Sequence, residues 1–544
     1  MRGLMMEMPL SIISLMQYAA LNHSDTAIVS RTVEGPIHRY TYGDAYRRIQ
    51  QLAHGLASLG VRAGDRVATV AWNGYRHLEL YFGISGIGAI CHTVNPRLKP
   101  SQVRDILRHA KDSVVFTDLT FVPMLAEVAA DLPEIRTYVI MTDAKSMPAT
   151  GLPGVVCYEE LIADQPGEYA WPQFDETTAS SLAYTSGSTG EPKGALFSHR
   201  STVLHAFAAC FPDNFALSSS ETVMPVVPMF HVNAWGLPYA CTMVGAKLVF
   251  PGPKLDAASL YELLEAEEVT FGAGVPTVWA MLIEYLRREG KRLTHLKRLS
   301  IGGSAVPLTM FMAFEEEFGV EVRQGWGMTE MSPQGTMGSL KGTQKNLSKE
   351  EKYRVKTAQG RPIFGVDMRI VDAEGKQLPR DGTTAGILQV RGPWILSEYY
   401  ENPAATNESF DGSGWFTTGD IATIDKDGFM RIVDRTRDLI KSGGEWVSSI
   451  EIENAAIAHP DVMEAGVIGL PHPRWGERPL LVVVARPNAN VSRDDLLSFL
   501  KERIWKVAVP DDVVFVKELP HGPTGKVSKT DLRKMFKDYC LPTA

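Results

Sequence analysis

Short apolar segments alternate with helical stretches before residue 430, and this alternation constrains the fold more than any other feature. Between Thr41 and Leu59 apolar residues recur at helical spacing, and Gly60 follows where a C-terminal cap belongs. Strand-like segments begin at Arg66, Val114, Thr137, Ala246, Val269 and Arg298. Buried strands between helices predict an α/β fold with a largely parallel sheet.

Length and composition are those of a large globular protein. The chain has 544 residues, 44% of them hydrophobic and 22% charged, and its net charge is −8 without a long run of either sign. This balance argues against a nucleic-acid partner, which normally requires a basic patch. The five cysteines are dispersed without metal-binding spacing, which favours reduced thiols and a cytoplasmic location.

Two apolar stretches could be mistaken for membrane segments. Residues 1–20 are interrupted by Glu7 and Pro9, so we expect a helix there that packs on the body of the protein. Residues 222–250 contain several prolines and His231, which a membrane-spanning helix would not carry. We therefore predict buried core for the second stretch and no membrane span.

The character of the chain changes near residue 430, where a short strand leads into a charged segment that contains glycine. Beyond it, Ser448 and Glu451 predict a capping box at the start of a helix. Two strands and a second helix, capped by Ser492, complete a compact unit. We predict a large N-terminal α/β domain, residues 1–434, and a small C-terminal α+β domain, residues 435–544.

The most informative motif is YTSGSTGEPKG at residues 184–194. It directly follows an apolar strand and combines hydroxyl groups, glycines and Lys193. Glycine-rich backbone can turn successive N–H groups toward one point, and such concavities bind phosphate oxygens. The spacing is not that of a Walker A loop. By itself the motif leaves two interpretations open, a phosphate-binding loop and a flexible surface loop.

Five further motifs follow in order: GGSAVP at 302–307, QGWGMTE at 324–330, TTGD at 417–420, DRTRDLIKSGGEWVSS at 434–449 and PTGKVSK at 523–529. With the first motif they closely resemble the signatures of the adenylate-forming superfamily. That superfamily includes acyl-CoA synthetases, peptide-synthetase adenylation domains and beetle luciferases. The resemblance covers most of the chain and implies three ligands: ATP, Mg²⁺ and coenzyme A.

The resemblance also implies roles in adenylation. Glu330 would bind Mg²⁺ through a carboxylate oxygen, and Lys526 would stabilise charge as a carboxylate attacks the α-phosphate. Thr329 would hydrogen-bond to the α-phosphate, and Trp326, where the family usually has Tyr, would stack on adenine. Further nucleotide contacts are expected from Thr185, Ser186, Gly187, Ser188, Thr189, Gly190, Lys193, Gly303, Ser304, Ala305, Gly327, Met328 and, at the ribose, Asp420 and Arg435.

A second half-reaction follows from the same resemblance, in which the small domain rotates about Arg437. The sequence Ser442, Gly443, Gly444 and Glu445 would then face the active site, where glycine backbone admits a thin pantetheine arm. The acyl pocket is predicted from His231, Trp235, Val275, Pro276 and Gly302. The candidate catalytic residues are Lys526, His231, Thr185 and Glu330. A lone histidine among apolar residues is more often part of the core, and the aromatic neighbours could equally be plain packing.

The function implied is that of an acyl-CoA ligase, which adenylates a small or medium carboxylic acid and transfers the acyl group to coenzyme A. The chain resembles medium-chain acyl-CoA ligases, and in particular bacterial 3-(methylthio)propionate–CoA ligases of dimethylsulfoniopropionate breakdown. Short- or medium-chain fatty acids are the alternative substrates, and a homodimer is expected from the resemblance.

Other members of the superfamily fit less well. An amino-acid adenylation enzyme would carry an acidic residue for the substrate amine near His231, and the sequence there offers none. A luciferase-type oxygenase shares the motifs. A non-catalytic ligand-binding relative would be expected to lack Glu330 or Lys526, and both are present.

Overall fold

Two mostly parallel sheets and their covering helices form the large N-terminal part of the protein. The structure is a computed structural model that describes residues 1, 3–185, 192–487, 489–522 and 526–544. Within these residues, one sheet has nine strands and a second has seven. The prediction of a largely parallel α/β body is confirmed, since the strands from β14 (Glu321–Gly327) to β1 (Ala27–Arg31) of the first sheet and from β7 (Val155–Cys157) to β8 (Ala179–Tyr184) of the second sheet pair in parallel.

The strands are β1 (Ala27–Arg31), β2 (Ile37–Thr41), β3 (Arg66–Val70), β4 (Ile90–Thr93), β5 (Val114–Thr117), β6 (Thr137–Ile140), β7 (Val155–Cys157), β8 (Ala179–Tyr184), β9 (Gly194–Ser198), β10 (Thr222–Pro225), β11 (Lys247–Phe250), β12 (Phe271–Gly274), β13 (Arg298–Ile301), β14 (Glu321–Gly327), β15 (Gln334–Met337), β16 (Arg361–Pro362), β17 (Asp367–Val371), β18 (Gly386–Arg391), β19 (Phe416–Ile424), β20 (Met430–Arg435), β21 (Ile440–Ser442), β22 (Glu445–Val447), β23 (Val462–His472), β24 (Gly476–Ala485) and β25 (Asp512–Phe515).

The helices are α1 (Ile12–Asn22), α2 (Tyr42–Ser58), α3 (Tyr75–Gly86), α4 (Pro100–Ala110), α5 (Val122–Val128), α6 (Tyr158–Ala163), α7 (His199–Ala209), the single turn α8 (Val232–Trp235), α9 (Leu237–Val244), α10 (Ala257–Ala266), α11 (Pro276–Glu289), α12 (Leu308–Met312), α13 (Lys349–Lys356), α14 (Pro403–Ser409), α15 (Ser449–Ile457), α16 (Arg493–Lys501) and α17 (Lys529–Met535).

The order of the strands brings distant parts of the chain together. The nine-stranded sheet runs β16-β15-β14-β13-β12-β10-β11-β1-β2, and the seven-stranded sheet runs β7-β6-β5-β3-β4-β8-β9. A third sheet, β17-β18-β19-β20, is antiparallel. The strands β10, β12, β13 and β14 are therefore neighbours and point the same way.

The predicted helix that follows Thr41 is present as α2. Thr41 caps it in a full capping box with Asp44, whose amide donates to the threonine side chain. The apolar positions of α2 are buried, and Gly60 follows with a φ of 77°, a left-handed conformation that ends helices at little cost for glycine.

The prediction of a helix throughout residues 1–20 is wrong for the first part. Helix α1 begins only at Ile12, and residues 3–10 form no helix and are largely exposed. Pro9 disfavours a helical conformation in the residue before it. The Leu10 amide donates to Glu176 and the Ile12 amide donates to His199, so bonds to the body replace the bonds that an earlier helical turn would make.

The apolar stretch from residue 222 to residue 250 is buried core, as predicted. It forms β10, α8, α9 and β11. Among the residues that the structure describes, no helix is long and apolar enough to cross a membrane.

The small C-terminal unit has its own sheet and its own apolar core. Strands β21 to β25 form one sheet, and two clusters of buried side chains fill the unit from Ile440 onward. Ser448 accepts a hydrogen bond from the Glu451 amide, but only this serine half of the predicted capping box is found among the described residues. The Ser448 hydroxyl also donates to the Val433 carbonyl, which ties α15 to β20.

Candidate active site

The carboxyl ends of four neighbouring parallel strands create the candidate site. The segments that follow β10, β12, β13 and β14 begin on the same edge of the nine-stranded sheet. In open α/β sheets ligands bind outside the carboxyl ends of the strands. Those segments carry the predicted acyl-pocket and nucleotide residues His231, Trp235, 275–276, 302–305 and 327–330.

A left-handed turn presents Trp235 to the end of β13. Val232 to Trp235 have φ between 45° and 58°, and Gly236 follows at 75°. Non-glycine residues avoid this conformation, and such strain is concentrated at functional sites. A Cβ atom on Gly302 would lie 3.2 Å from Cη2 of the Trp235 ring and 2.9 Å from the Gly325 carbonyl oxygen. Glycine is thus required where the indole meets the strand end.

The loop before this turn is held by two residues that follow β3, Asn73 in a loop and Tyr81 in helix α3. The Asn73 amide group donates to the carbonyls of Pro225 and Val227, both at 2.8 Å, and its oxygen accepts from the Met229 amide at 2.6 Å. The Tyr81 hydroxyl donates to the Met229 carbonyl. Sequence reasoning missed Asn73 and Tyr81, because nothing local to them indicates a partner about 150 residues away.

Lys526 reaches from the small unit to the edge of the acyl pocket. Gly303 has a φ of 88°, and a Cβ atom there would lie 3.7 Å from Lys526 Cε and 3.2 Å from Val275 Cγ1. Lys526 remains accessible to solvent in the cleft. The protein around its ammonium group and the positive charge of Arg435 lower its pKa to about 8, against the opposing charge of Asp420.

The ribose candidate Asp420 is held through both carboxylate oxygens. The Trp326 indole N–H donates to Oδ2 at 3.1 Å, and Arg435 Nε lies 2.7 Å from Oδ1. Burial raises the pKa of Asp420, while Arg435 and the Trp326 N–H oppose that rise. Trp326, which stands where the family usually has tyrosine, therefore makes a polar contact with Asp420 through its indole N–H.

The metal candidate Glu330 is buried at the end of the segment after β14. Its Oε1 accepts a hydrogen bond from the Tyr399 hydroxyl at 2.7 Å. Burial raises the pKa of Glu330, so the carboxylate is poised for a positive charge that would offset its desolvation. Sequence reasoning missed Tyr399, which lies outside every motif.

The glycine-rich loop closes a hairpin beside Glu330. Strands β8 and β9 pair antiparallel, and Thr185 and Lys193 exchange hydrogen bonds across the base of the loop. Lys193 Nζ lies 5.0 Å from the centre of the Tyr399 ring. The predicted contacts Ser186, Gly187, Ser188, Thr189 and Gly190 lie outside the described residues.

His231 is a neutral imidazole at physiological pH. Burial and the positive charge of Lys526 lower its pKa to about 4. It directly precedes the left-handed turn that carries Trp235. A neutral imidazole at this position does not fit a cationic role.

Comparison with known families agrees with this geometry. The profile described as AMP-binding enzyme matches residues 16–400, and the profile described as AMP-binding enzyme C-terminal domain matches residues 451–526. The chain belongs to the AMP-binding enzymes.

Individual relatives of this AMP-binding enzyme are similar over their whole length. The 3-methylmercaptopropionyl-CoA ligase of Ruegeria lacuscaerulensis is 47% identical over 99% of each chain. The medium-chain-fatty-acid–CoA ligase of Ectopseudomonas oleovorans is 45% identical over 99% of this chain and 98% of the relative. The crystal structure of an anthranilate CoA ligase in complex with anthranoyl-AMP has a TM-score of 0.86 and 25% identity, with 97% of this chain and 98% of that chain covered.

The predicted enzyme class is thereby confirmed. The protein is an ATP-dependent, AMP-forming acyl-CoA ligase with the α/β fold of adenylate-forming enzymes. Its ligands are ATP, Mg²⁺, coenzyme A and a carboxylic acid.

The two predicted functional segments of the small unit of this AMP-binding enzyme lie in different surroundings. Lys526 faces the body, as described above. The Gly443 amide donates to the Trp475 carbonyl at 2.7 Å, and a Cβ atom on Gly443 would lie 2.7 Å from the Trp475 ring. Ser442 accepts a hydrogen bond from Arg478, and Glu445 is exposed. The contacts described for this segment therefore lie within the small unit. The predicted pivot, Arg437, follows Arg435 by two residues.

Proposed function

We propose that the enzyme joins 3-(methylthio)propionate to coenzyme A through an acyl-adenylate, with the predicted site residues in the roles given above. The observation that carries the proposal is the position of Lys526, beside Gly303 at the acyl pocket and within the fields of Asp420 and Arg435 at the ribose. A cation between the pocket for the acid and the site for the nucleotide is what the attack of a carboxylate on a phosphate requires.

In the first half-reaction the residues of the body hold the nucleotide. Glu330 would hold Mg²⁺, which would neutralise part of the phosphate charge, and the segment from Thr185 to Lys193 would donate hydrogen bonds to the phosphates. Asp420, oriented by Trp326, accepts hydrogen bonds from the ribose hydroxyls. The substrate carboxylate oxygen forms a bond to the α-phosphorus, and the bond to pyrophosphate breaks.

Lys526 reduces the repulsion between the two anions in that step. Its ammonium group stabilises the charge that develops on the carboxylate and the α-phosphate. The bound phosphates supply negative charge that keeps the ammonium protonated, against the desolvation that lowers its pKa in the free enzyme.

In the second half-reaction the small unit turns about Arg437. The segment from Ser442 to Glu445 then faces the site, and Gly443 and Gly444 give the pantetheine arm room. The thiol of coenzyme A loses its proton to solvent, its sulfur attacks the acyl carbonyl, and AMP leaves with the bonding electrons. Neutral His231 forms the wall between the acyl pocket and the pantetheine approach.

The choice of acid is supported by the relatives. Two 3-methylmercaptopropionyl-CoA ligases, at 47% and 45% identity, are similar over 99% of this chain. Fatty acids of short or medium length are the second candidate, because a medium-chain ligase is 45% identical.

The acid is tested by measuring AMP release with ATP, Mg²⁺ and coenzyme A. The panel contains acetate, propionate, butyrate, hexanoate, octanoate, benzoate and 3-(methylthio)propionate. We expect the highest kcat/KM for 3-(methylthio)propionate, and butyrate and hexanoate bracket it in length. A higher value for octanoate or hexanoate would assign the enzyme to fatty acids. One methylene changes specificity by only about 1–3 kcal/mol, so full kinetic curves are needed.

The pKa of Lys526 predicts how adenylation depends on pH. Below its pKa of about 8 the free enzyme carries the charged lysine, and this charge is lost as the pH rises through that value. We expect kcat/KM for pyrophosphate release to fall above that pH, since kcat/KM reports groups of the free enzyme. Lys526→Arg keeps its charge over the whole range, so the slower variant should lack the fall. If kcat/KM of Lys526→Arg fell at the same pH, the titrating group would be one other than Lys526.

Three broader predictions accompany this function. A cytoplasmic location is supported by the five cysteines, which are all free thiols in the structure. The homodimer rests on the resemblance. The division into residues 1–434 and 435–544 is supported by the separate apolar core of the small unit, although Arg435 still pairs with Asp420 of β19.

A further inference from the structure

A buried polar network joins the two parts of the chain next to Arg437. Asp434 Oδ2 accepts hydrogen bonds from the amide and the hydroxyl of Ser449, both at 2.6 Å. Lys529 Nζ donates to the same Ser449 hydroxyl and lies 3.0 Å from Oε1 of Glu453. The side chains of Lys529 and Glu453 are only 13% and 17% exposed, so these contacts are well shielded from solvent.

The network spans the proposed pivot. Asp434 belongs to β20, which pairs with β19 in the antiparallel sheet of the body. Ser449 is the first residue of α15 and Lys529 is the first residue of α17, and both helices belong to the small unit. A rotation about Arg437 would carry Ser449 and Lys529 away from Asp434. The pair between Lys529 and Glu453 would travel with the small unit, since both residues belong to it.

The same network is connected directly to Lys526. Lys529 lies three residues after it, and the Ser528 amide donates to the Pro520 carbonyl at 2.7 Å. The Gly522 amide donates to the Lys526 carbonyl, also at 2.7 Å. The segment that carries Lys526 is therefore tied down on both sides, and Lys529 fixes its C-terminal side to α15.

The charge of Lys529 is favoured in this arrangement. Glu453 and Asp434 raise its pKa although burial alone would lower it. Burial raises the pKa of Glu453, which Lys529 opposes. The buried cation is thus compensated by Glu453 and Asp438 of its own unit and by Asp434 of the body. Of these interactions, only the one between Lys529 and Asp434 of the body depends on the orientation of the small unit.

We propose that Lys529 is a positioning residue for adenylation: through Ser449 and Asp434 it holds the small unit in the orientation that brings Lys526 to the acyl pocket. This inference rests on the proposed two-step function. It separates the two lysines of the C-terminal motif, with Lys526 at the reacting atoms and Lys529 at the contact between the domains. Once the acyl-adenylate has formed, release of Asp434 allows the rotation.

The inference is tested by measuring the two half-reactions separately in Lys529→Met. Adenylation is followed by pyrophosphate release, and thioester formation is followed with preformed acyl-adenylate and coenzyme A. We expect adenylation to fall about 10- to 100-fold, the factor for loss of hydrogen bonds to a charged group. Thioester formation should stay within about twofold of the wild type, because the orientation of the small unit in that step does not use the contact with Asp434. Lys534→Met, an exposed lysine on the same helix, should leave both half-reactions unchanged.

A second variant keeps the test independent of the stability of Lys529→Met. Asp434→Asn weakens the contact from the side of the body and leaves the pair between Lys529 and Glu453 intact. It should also slow adenylation selectively. The double variant should be no slower than the slower single variant, because both changes remove one shared interaction. Hydrogen exchange at the Ser449 amide should be faster in Asp434→Asn, while exchange in α16 stays the same.

Several outcomes would overturn the inference. Equal loss of both half-reactions in Lys529→Met would make Lys529 a purely structural residue. Wild-type adenylation in Asp434→Asn would show that the contact with the body is irrelevant, even if Lys529→Met does not fold. A wild-type enzyme that forms no acyl-adenylate from any acid would instead contradict the proposed function itself.

Discussion

Lys526→Met is expected to lower adenylation about 100- to 1,000-fold, the range for removal of one preorganised group that stabilises transition-state charge. Methionine keeps the length of the side chain, so the change removes the charge with little effect on packing. Pyrophosphate release with saturating ATP and acid measures the loss. Thioester formation from supplied acyl-adenylate should be close to that of the wild type, because Lys526 acts on the first step only.

The control for this prediction is Lys537→Met, which removes an exposed lysine of the same small unit. It should leave both half-reactions unchanged. If Lys526→Met slowed both half-reactions by the same factor, the loss of activity would reflect a damaged small unit and not a role of Lys526 in the transition state. A drop in affinity for ATP without a change in kcat would instead assign Lys526 to ground-state binding.

Glu330→Gln is expected to lower adenylation by about 100-fold and to raise the Mg²⁺ concentration needed for half-maximal rate, since an amide oxygen is a weaker ligand for a hard cation. The substitution retains an oxygen that can accept the hydrogen bond from Tyr399. Titration of Mg²⁺ at a fixed ATP concentration measures the shift. An unchanged Mg²⁺ dependence would contradict the assignment of Glu330 to the metal.

The thermal stability of Glu330→Gln should not fall along with its activity. Because burial raises the pKa of Glu330 in the folded protein, the ionised carboxylate destabilises the free enzyme at pH values above the pKa of the unfolded chain. A neutral amide removes this cost, so the Tm of the variant without ligands should be no lower than that of the wild type. Tyr399→Phe is the matched control, because it removes one hydrogen bond and keeps the carboxylate. Its loss of activity should stay below about tenfold.

The left-handed turn at Val232–Trp235 could not be predicted from the sequence pattern. Nothing in the residues PMFHVNAW indicates a left-handed turn, because these residue types normally adopt right-handed or extended backbone. The turn exists because the body holds the preceding loop through Asn73 and Tyr81. The assignment of Trp235 and Gly302 to one pocket came from the resemblance, and the backbone conformation that brings the two residues together could come only from the structure.

The local consequences of the sequence were predictable where neighbouring residues alone determine them. Thr41 and Asp44 start α2 through bonds within one turn, and Gly60 ends it because glycine accepts a positive φ. Alternating apolar segments predicted a parallel α/β body, because only a sheet covered on both faces buries such strands. The nucleotide site was implied by the resemblance of the motifs, and two of them, at residues 302–307 and 324–330, lie at the ends of β13 and β14 on one edge of the nine-stranded sheet.

The tertiary structure decided which distant side chains complete that site. Trp326 meets Asp420 across 94 positions of the chain, and Tyr399 meets Glu330 across 69. Lys529 reaches Ser449 across 80. No local pattern encodes such pairs, because they depend on the order of strands and on how the two parts of the chain pack together. The sequence by itself thus determined the elements, the family and the chemical groups, while packing determined the partners that hold those groups and set their charges.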